Sequence, residues 1–141
     1  MSCDIINLMS EQDSIKSQLQ DYFSQKDEID TVLLFGSFAK GTFNAHSDID
    51  IAIHSKNPLD YEQLAKIQTD LALICQREID LADLSKAEGI FLYQIMTTGI
   101  KIKISKSIFV RYLVKALSFR EDFLPTIKYM NSQKIKRFVN G

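Results

Sequence analysis

The residues best suited to chemistry lie in one stretch, residues 35–53, which reads FGSFAKGTFNAHSDIDIAI. Asp48 and Asp50 open an apolar run, and residues two apart on a strand point to the same face. Two carboxylates that project together repel each other unless a cation lies between them, and magnesium prefers such oxygen ligands. The pattern therefore fits a metal site and fits two aspartates on a solvated turn equally well.

A glycine–serine pair precedes the two aspartates and could bind phosphate. Gly36 lets a backbone come close to an anion, and the Ser37 hydroxyl can donate a hydrogen bond to a phosphate oxygen. Lys40 could neutralise a further negative charge. Alone, such a pair after a strand is a common turn. Joined to the Asp-Ile-Asp motif, it places phosphate donors at one strand end and metal ligands at the next.

A third carboxylate is needed if the metal site also activates a nucleophile, and residues 77–84, REIDLADL, offer two. Asp80 and Asp83 should face opposite ways on a regular strand, so at most one joins the pair described above. Asp80 lies mid-strand between apolar residues, where an unpaired carboxylate would be costly to bury. Asp83 lies near the strand end, where it could cap a helix or face solvent. We therefore predict Asp80 as the third carboxylate.

The elements that must position these residues follow from hydrophobic periodicity and from turn residues. The predicted order is helix 10–29, strand 30–36, strand 48–54, helix 59–77, strand 78–84, helix 85–99, strand 100–104 and a mainly helical segment 107–141 that Pro125 interrupts. This order predicts an α/β fold in which a small mixed sheet is flanked by helices, with the sheet on one side and the helices on the other. Ser10 or Asp13 should cap the first helix, and Ser85 the third.

The apolar stripes and the lysine positions refine this prediction. The second helix should bury a stripe of five residues: Tyr61, Leu64, Ile67, Leu71 and Ile74. Lysines on one face of the last strand indicate an edge strand. The basic tail from Lys101 forms either a solvated face or a surface for an acidic or phosphate-bearing partner. Its apolar residues either pack on the domain or bind a partner: Phe109, Tyr112, Leu113, Leu117, Phe123 and Leu124.

Length and composition narrow the class of protein. The chain has 141 residues, a 45% hydrophobic and 25% charged composition and a net charge of −1, which are typical of one globular domain. The net charge gives no broad electrostatic case for nucleic-acid binding. Cys3 and Cys75 form no disulfide framework, which favours a reducing cytoplasm. We expect neither a signal peptide nor a membrane-spanning segment.

The glycine–serine pair, the Asp-Ile-Asp motif and the Ile-Asp of a later strand resemble the nucleotidyltransferases of the DNA polymerase beta type. The short chain and LLFGSFAKGTFNAHSDIDIAI resemble the minimal nucleotidyltransferase (MNT) domain proteins over roughly residues 28–104. The C-terminal segment is similar to the extension of MNT antitoxins that pair with HEPN-domain RNase toxins. The resemblance implies a nucleotidyltransferase core over residues 1–106 and a helical extension over residues 107–141.

The resemblance also implies the roles of the site residues. Asp48 and Asp50 would bind two magnesium ions that bridge the triphosphate of ATP, the substrate. Asp80 would complete one metal site and help deprotonate the attacking hydroxyl. The β- and γ-phosphates would be held by the remaining three residues of the set: Gly36, Ser37 and Lys40.

In the MNT–HEPN pairs the implied acceptor is a tyrosine hydroxyl beside the RNase site of the toxin, and the transferred AMP silences the toxin. The expected partner is therefore a HEPN-family RNase toxin bound in a hetero-oligomer, with neither membrane nor direct nucleic-acid binding. Two alternatives stay open. The chain could be a non-catalytic antitoxin that binds and masks the toxin, or a small-molecule nucleotidyltransferase. The second alternative needs an acceptor pocket for which this length leaves little room.

Overall fold

The computed structural model describes residues 2–119 of the chain, with side chains from residue 11 onward. Its helices and strands are α1 (Ser2–Ser24), β1 (Ile29–Phe35), α2 (Gly36–Lys40), β2 (Ile49–Ser55), α3 (Tyr61–Cys75), β3 (Ile79–Asp83), a 3-10 turn (Leu84–Lys86), α4 (Gly89–Thr98), β4 (Ile100–Lys103) and α5 (residues 106–119). The predicted order is confirmed. The expected caps at Ser10 and Asp13 are wrong, because α1 already includes Ser2 and nothing in residues 2–9 breaks a helix.

The four strands form one mixed sheet in the order β3-β2-β1-β4. β1 lies antiparallel to both β2 and β4, whereas β2 and β3 run parallel. A parallel pair needs a crossover connection, and α3 provides it. The end of β1 and the starts of β2 and β3 therefore lie at the same end of the sheet.

Helices cover both faces of the sheet, which corrects the expectation that they lie on one side. Ile49, Ile51 and Ile53 of β2 join a buried cluster with residues of α1 and α3. Ala52 points to the opposite face and joins a second cluster with residues of α4 and α5. The residues along β1 and the end of β2 are apolar on both faces of the sheet, so both faces of these strands must be covered.

The buried stripe of α3 differs from the predicted one. Tyr61 is 86% exposed and Ile74 is 40% exposed, so neither belongs to the core. Ile67 and Leu71 are buried as predicted, Leu64 packs against the same core, and Cys75 is buried although it was not part of the predicted stripe. Tyr61 is the first residue of α3, where a side chain lies beyond the edge of the cluster. Burial raises the pKa of the Cys75 thiol to about 11, which keeps this cysteine protonated and unreactive.

β4 is an edge strand, as predicted, but one of its lysines has a second role. Lys103 donates hydrogen bonds from Nζ to the carbonyl oxygens of Phe23 at 2.9 Å and of Lys26 at 3.0 Å. These carbonyls lie at the C-terminal end of α1, where a positive charge is favourable. The edge lysine thereby fixes α1 on the sheet.

The helices near the C-terminus differ in part from prediction. Ser85 does not cap α4, which begins at Gly89 after the 3-10 turn. In α5, Tyr112 and Ala116 are buried against the sheet, whereas Val114 is 57% exposed. Phe109 and Leu113 pack against the same cluster and Leu117 is 38% exposed.

Several sequence predictions concern residues outside the described part of the chain. Pro125, Phe123, Leu124 and half of the basic residues of the tail lie there. The division of the chain into a core up to residue 106 and an extension after it stays a prediction. Within residues 2–119, no helix combines the length and the apolar character that crossing a bilayer requires.

Candidate functional site

The pairings of β1 with β2 and of β2 with β3 bring predicted site residues together at one end of the sheet. Phe35, the last residue of β1, pairs with Asp50 of β2. Asp50 pairs in turn with Asp80 of β3. Residues at the same register of neighbouring strands share a face and lie about 4.8 Å apart. The two carboxylates therefore stand side by side, next to the turn that follows β1.

Gly36 is in direct contact with Asp50. A Cβ atom at position 36 would overlap Asp50 Oδ2 and lie 3.0 Å from its Cγ. Gly36 also has a φ of +72°, in the left-handed region that other residues rarely adopt. Both the limited space and the backbone conformation therefore require glycine. The turn that is predicted to bind phosphate is in contact with Asp50 at this position.

The carboxylates interact unfavourably with one another. Burial and the neighbouring carboxylates, first Asp80 and then Asp48, raise the pKa of Asp50 to about 6. A side-chain hydrogen bond to Asp80 contributes to this shift. Asp48 is exposed and lies immediately before β2. Within residues 2–119, no three Asp, Glu, His or Cys side chains lie at the spacing of a complete metal-ligand set.

The positions of Asp80 and Asp83 bear on the choice between them. Asp80 is exposed, because β3 is an outer strand of the sheet, so the expected burial of this carboxylate is wrong. It lies beside Asp50 nevertheless. Asp83 Oδ1 accepts hydrogen bonds from the backbone N–H of Ser85 at 2.9 Å and from its hydroxyl at 2.6 Å. Asp83 thus caps the 3-10 turn, which was one of its two expected roles.

The other two residues of the predicted phosphate set lie on the short helix α2. Ser37 is half-buried and directly follows Gly36, and Lys40 is exposed at the end of the helix. Gly41 ends α2 in the left-handed conformation. Ser37 therefore lies one residue from the glycine that contacts Asp50, and Lys40 lies one helical turn further along. Their roles stay predictions.

Arg77 is a residue that the sequence reasoning missed. Its side chain is only 9% exposed, and its Nη2 donates to Glu11 Oε1 at 2.5 Å. Its Nη1 donates to the carbonyl oxygens of Asn44 at 2.8 Å and Ser47 at 2.9 Å. Arg77 therefore fixes the loop that leads to Asp48. The only signal in the sequence was a lone arginine before an apolar strand.

Aromatic rings complete the support of this loop. The rings of Phe38 and Phe43 stack with centroids 3.9 Å apart, and the Arg77 guanidinium lies 4.8 Å from the Phe38 ring. Phe43 is 5% exposed and belongs to the core. His54 pairs with Asp30 across β1 and β2 at 2.8 Å, which is a structural role.

Replacing Arg77 with alanine should destabilise the protein and weaken nucleotide binding. Hydrogen bonds to charged groups contribute about 1.5–3 kcal/mol, and we expect a loss of that size in the free energy of unfolding. Chemical denaturation and calorimetric titration with ATP measure the two effects. Arg77→Lys should restore little, because one ammonium cannot span these partners. Full recovery in Arg77→Lys would contradict the anchoring role.

Replacing Asp50 with asparagine should stabilise the protein in metal-free buffer above pH 6. The folded-state pKa of Asp50, about 6, exceeds the ordinary value of 3.8. The folded wild type therefore loses stability as the pH rises from about 4 through 6, because the carboxylate must ionise beside like charges. Asp50→Asn lacks this loss, so its advantage in melting temperature should grow over that range and then level off. An advantage that is constant between pH 4 and 8 would contradict this explanation.

Two comparisons by sequence find related proteins. A family model described as polymerase beta, nucleotidyltransferase, matches residues 17–107. The protein adenylyltransferase MntA of Shewanella oneidensis is 33% identical over 72 residues, which cover 51% of this chain and 52% of the relative. The matched stretch thus spans about half the length of that curated relative.

Solved structures share the fold. A toxin–antitoxin crystal structure with AMP-PNP superposes with a TM-score of 0.70 at 22% identity, covering 85% of this chain and 98% of the other. A tri-AMPylated HEPN toxin of Shewanella oneidensis in complex with an MNT antitoxin gives a TM-score of 0.61 at 21% identity, covering 91% and 98%. At these identities the likeness concerns the fold alone. The family model, by contrast, covers well over half of the chain, and the chain therefore belongs to the polymerase beta-type nucleotidyltransferase family.

Proposed function

We propose that this chain is an antitoxin that transfers AMP from ATP to a tyrosine hydroxyl of a cognate HEPN RNase toxin. The observation that carries the proposal is the register of Asp50 beside Asp80, with Gly36 against Asp50. The likeness to the protein adenylyltransferase MntA, over half of each chain, supports the choice of AMP and of a protein acceptor. A cytoplasmic location is part of the proposal, supported by the free, buried thiol of Cys75.

Magnesium is part of the proposal, because the donor set suits a hard divalent cation. Carboxylate oxygens are the ligands that Mg²⁺ prefers, and a cation among these groups would remove the repulsion that raises the pKa of Asp50. We propose that Asp48, Asp50 and Asp80 hold two Mg²⁺ ions, which would neutralise charge on the triphosphate and on the reacting phosphate.

The proposed reaction is an in-line displacement at the α-phosphorus of ATP. A bond forms between that phosphorus and the tyrosine oxygen, and the bond to the oxygen bridging to the β-phosphate breaks, so pyrophosphate leaves. The hydroxyl proton passes to the Asp80 carboxylate and then to solvent, which the exposure of Asp80 permits. An unperturbed tyrosine has a pKa of about 10, so this proton needs an acceptor at neutral pH.

The other three residues bind the leaving group. Gly36 allows close approach of the β- and γ-phosphates, since a Cβ atom would occupy the space beside Asp50. The Ser37 hydroxyl donates a hydrogen bond to a phosphate oxygen, and the Lys40 ammonium neutralises charge that grows on pyrophosphate as the bond breaks.

The test is labelling of a cognate HEPN-domain toxin, with α-labelled ATP and magnesium. Wild type should label the toxin, and mass spectrometry should find AMP on a tyrosine. The double variant Asp48→Ala/Asp50→Ala should label it about 1,000-fold more slowly or not at all. Equal labelling by both proteins would overturn the proposal.

Neutralisation in cells separates the two alternatives. Full neutralisation by the double variant would favour a non-catalytic antitoxin that masks the toxin. Transfer of label to a hydroxylated small molecule without a protein partner would favour a small-molecule nucleotidyltransferase. The close register of Asp50 and Asp80 argues against a decayed site. The repulsion between the two carboxylates lowers the stability of the protein, and such a cost is expected to persist only where the carboxylates bind a ligand.

A further inference from the structure

A groove runs beside β3, the outer strand of the sheet, and we call it the β3 groove. It encloses about 590 Å³, which is within the usual size of ligand sites. α3 provides one wall with four side chains: Gln68, Thr69, Ala72 and Leu73. Within residues 2–119, β3 pairs with β2 only, so its other edge is open to the groove.

The second wall of the β3 groove is acidic and continuous with the candidate catalytic site. Asp48, Asp80 and Glu78 line it. No lysine or arginine of the described residues lines the groove. With Asp48 and Asp80 committed to a cation, Glu78 still provides a negative charge. The groove therefore favours a basic ligand over an acidic one.

The α3 wall gives the β3 groove an apolar and a polar part. Leu73 is 74% exposed, and Ala72 beside it is half-buried, so the two offer an apolar surface for a ring. Gln68 donates a hydrogen bond from Nε2 to the Ile79 carbonyl at 2.7 Å, so one edge carbonyl of β3 is already satisfied. An extended chain could lie along what remains of this edge, as peptides do on open strand edges.

The order of the strands decides which substrate can occupy the β3 groove. In the proposed function Gly36 and Lys40 hold the leaving pyrophosphate, and both lie after β1. In an in-line displacement the attacking oxygen must lie on the opposite side of the phosphorus. β2, with Asp50, lies between β1 and β3, so the attack comes from the β3 side. The groove lies on that side.

We propose that the β3 groove binds an extended, basic segment of the acceptor protein and delivers its tyrosine hydroxyl to Asp80. This inference rests on the proposed function and adds the acceptor subsite to it. Leu73 contacts the tyrosine ring, and Glu78 pairs with a lysine or arginine near the tyrosine. The order of strands, the open edge of β3 and the acidic wall all indicate that the acceptor segment approaches from the β3 side.

The first test compares two exposed positions on the same helix, each changed from an apolar or aromatic residue to arginine. Leu73→Arg should raise the KM for the toxin at least 10-fold and leave the KM for ATP within 2-fold. The matched control is Tyr61→Arg, at a position that is 86% exposed and roughly 18 Å away along α3. Its kinetics should equal those of wild type. Equal KM values for the toxin in both variants would overturn the groove proposal.

The second test detects contact between the β3 groove and the toxin, so it does not depend on catalytic turnover. A photo-crosslinking amino acid in place of Leu73 should cross-link to the toxin peptide that contains the acceptor tyrosine, as mass spectrometry would identify. The same amino acid in place of Tyr61 should not. A cross-link from position 73 to a different toxin segment would overturn the proposal.

The groove proposal can fail while the adenylyltransferase proposal stands. If wild type labels the toxin while Leu73→Arg labels it equally well, the groove proposal is wrong and the adenylyltransferase proposal stands. If wild type labels no protein, both are wrong. Glu78→Lys supplies an independent check, because it should also raise the KM for the toxin by several-fold. Unchanged kinetics in Glu78→Lys would contradict the predicted charge of the segment.

Discussion

Gly36→Ala should reduce the rate of AMP transfer by a factor of about 100 or more, since displacing a reacting group by about 1 Å has effects of this size. The alanine Cβ would overlap Asp50 Oδ2, so either the carboxylate or the turn must move. The positive φ adds backbone strain of about 1–2 kcal/mol. Single-turnover labelling of the toxin measures the first effect, and thermal denaturation measures the second.

Gly41→Ala is the matched control for this prediction. Gly41 has a φ of +74°, close to that of Gly36, but a Cβ atom at Gly41 would meet nothing within 4 Å. This variant should therefore lose a similar amount of stability and keep most of its transfer rate. A loss of activity in Gly41→Ala as large as that in Gly36→Ala would show that strain alone, and not contact with Asp50, explains the effect.

Asp80→Asn should lower the rate of AMP transfer by about 100- to 1,000-fold, which is the usual effect of removing one group that stabilises transition-state charge. The affinity for ATP should change only a few-fold, because Asp48 and Asp50 remain. Single-turnover rates at saturating ATP, together with equilibrium binding of ATP, separate the two effects. A large change in affinity with an unchanged rate would assign Asp80 to binding instead.

Asp83→Asn tests the choice between the two carboxylates of β3. Asp83 accepts hydrogen bonds from Ser85, and an asparagine side-chain oxygen can accept them as well. This variant should keep its transfer rate within about 2-fold of wild type, because no step of the proposed reaction involves Asp83. A loss comparable to that of Asp80→Asn would contradict the assignment of Asp80 as the third carboxylate.

The local pattern of β2 was sufficient to predict its two faces. Ile49, Ile51 and Ile53 alternate with Asp48, Asp50 and Ala52, and the period of two is a property of a single strand. The buried clusters follow this alternation. The same reasoning could not show that both faces are covered by helices, because that depends on which elements return to the sheet.

The exposure of Asp80 depended on information that is not local. Its position in the middle of an apolar strand suggested burial, but β3 turned out to be an outer strand. Strand order follows from contacts between distant segments, and no pattern within residues 78–84 records it. The register of Asp80 with Asp50 is equally non-local.

Arg77 was missed for a related reason. Its partners Glu11, Asn44 and Ser47 lie at least 30 positions away in the chain, in α1 and in the loop before β2. A single arginine has no spacing rule that would connect it to them. Residues that support a loop from another element are therefore found only when the elements are placed in space.

The contacts of α1 have a consequence for any minimal fragment of this protein. The family match begins at residue 17, yet Glu11 binds Arg77 and Gln12 donates a hydrogen bond to the Phe38 carbonyl at 2.6 Å. Trimming the chain to the matched residues would remove the contact of Gln12 with α2 and the contact of Glu11 with Arg77, which binds the loop between α2 and β2. We therefore expect a fragment that begins at residue 17 to be less stable than one that keeps residues 11 and 12.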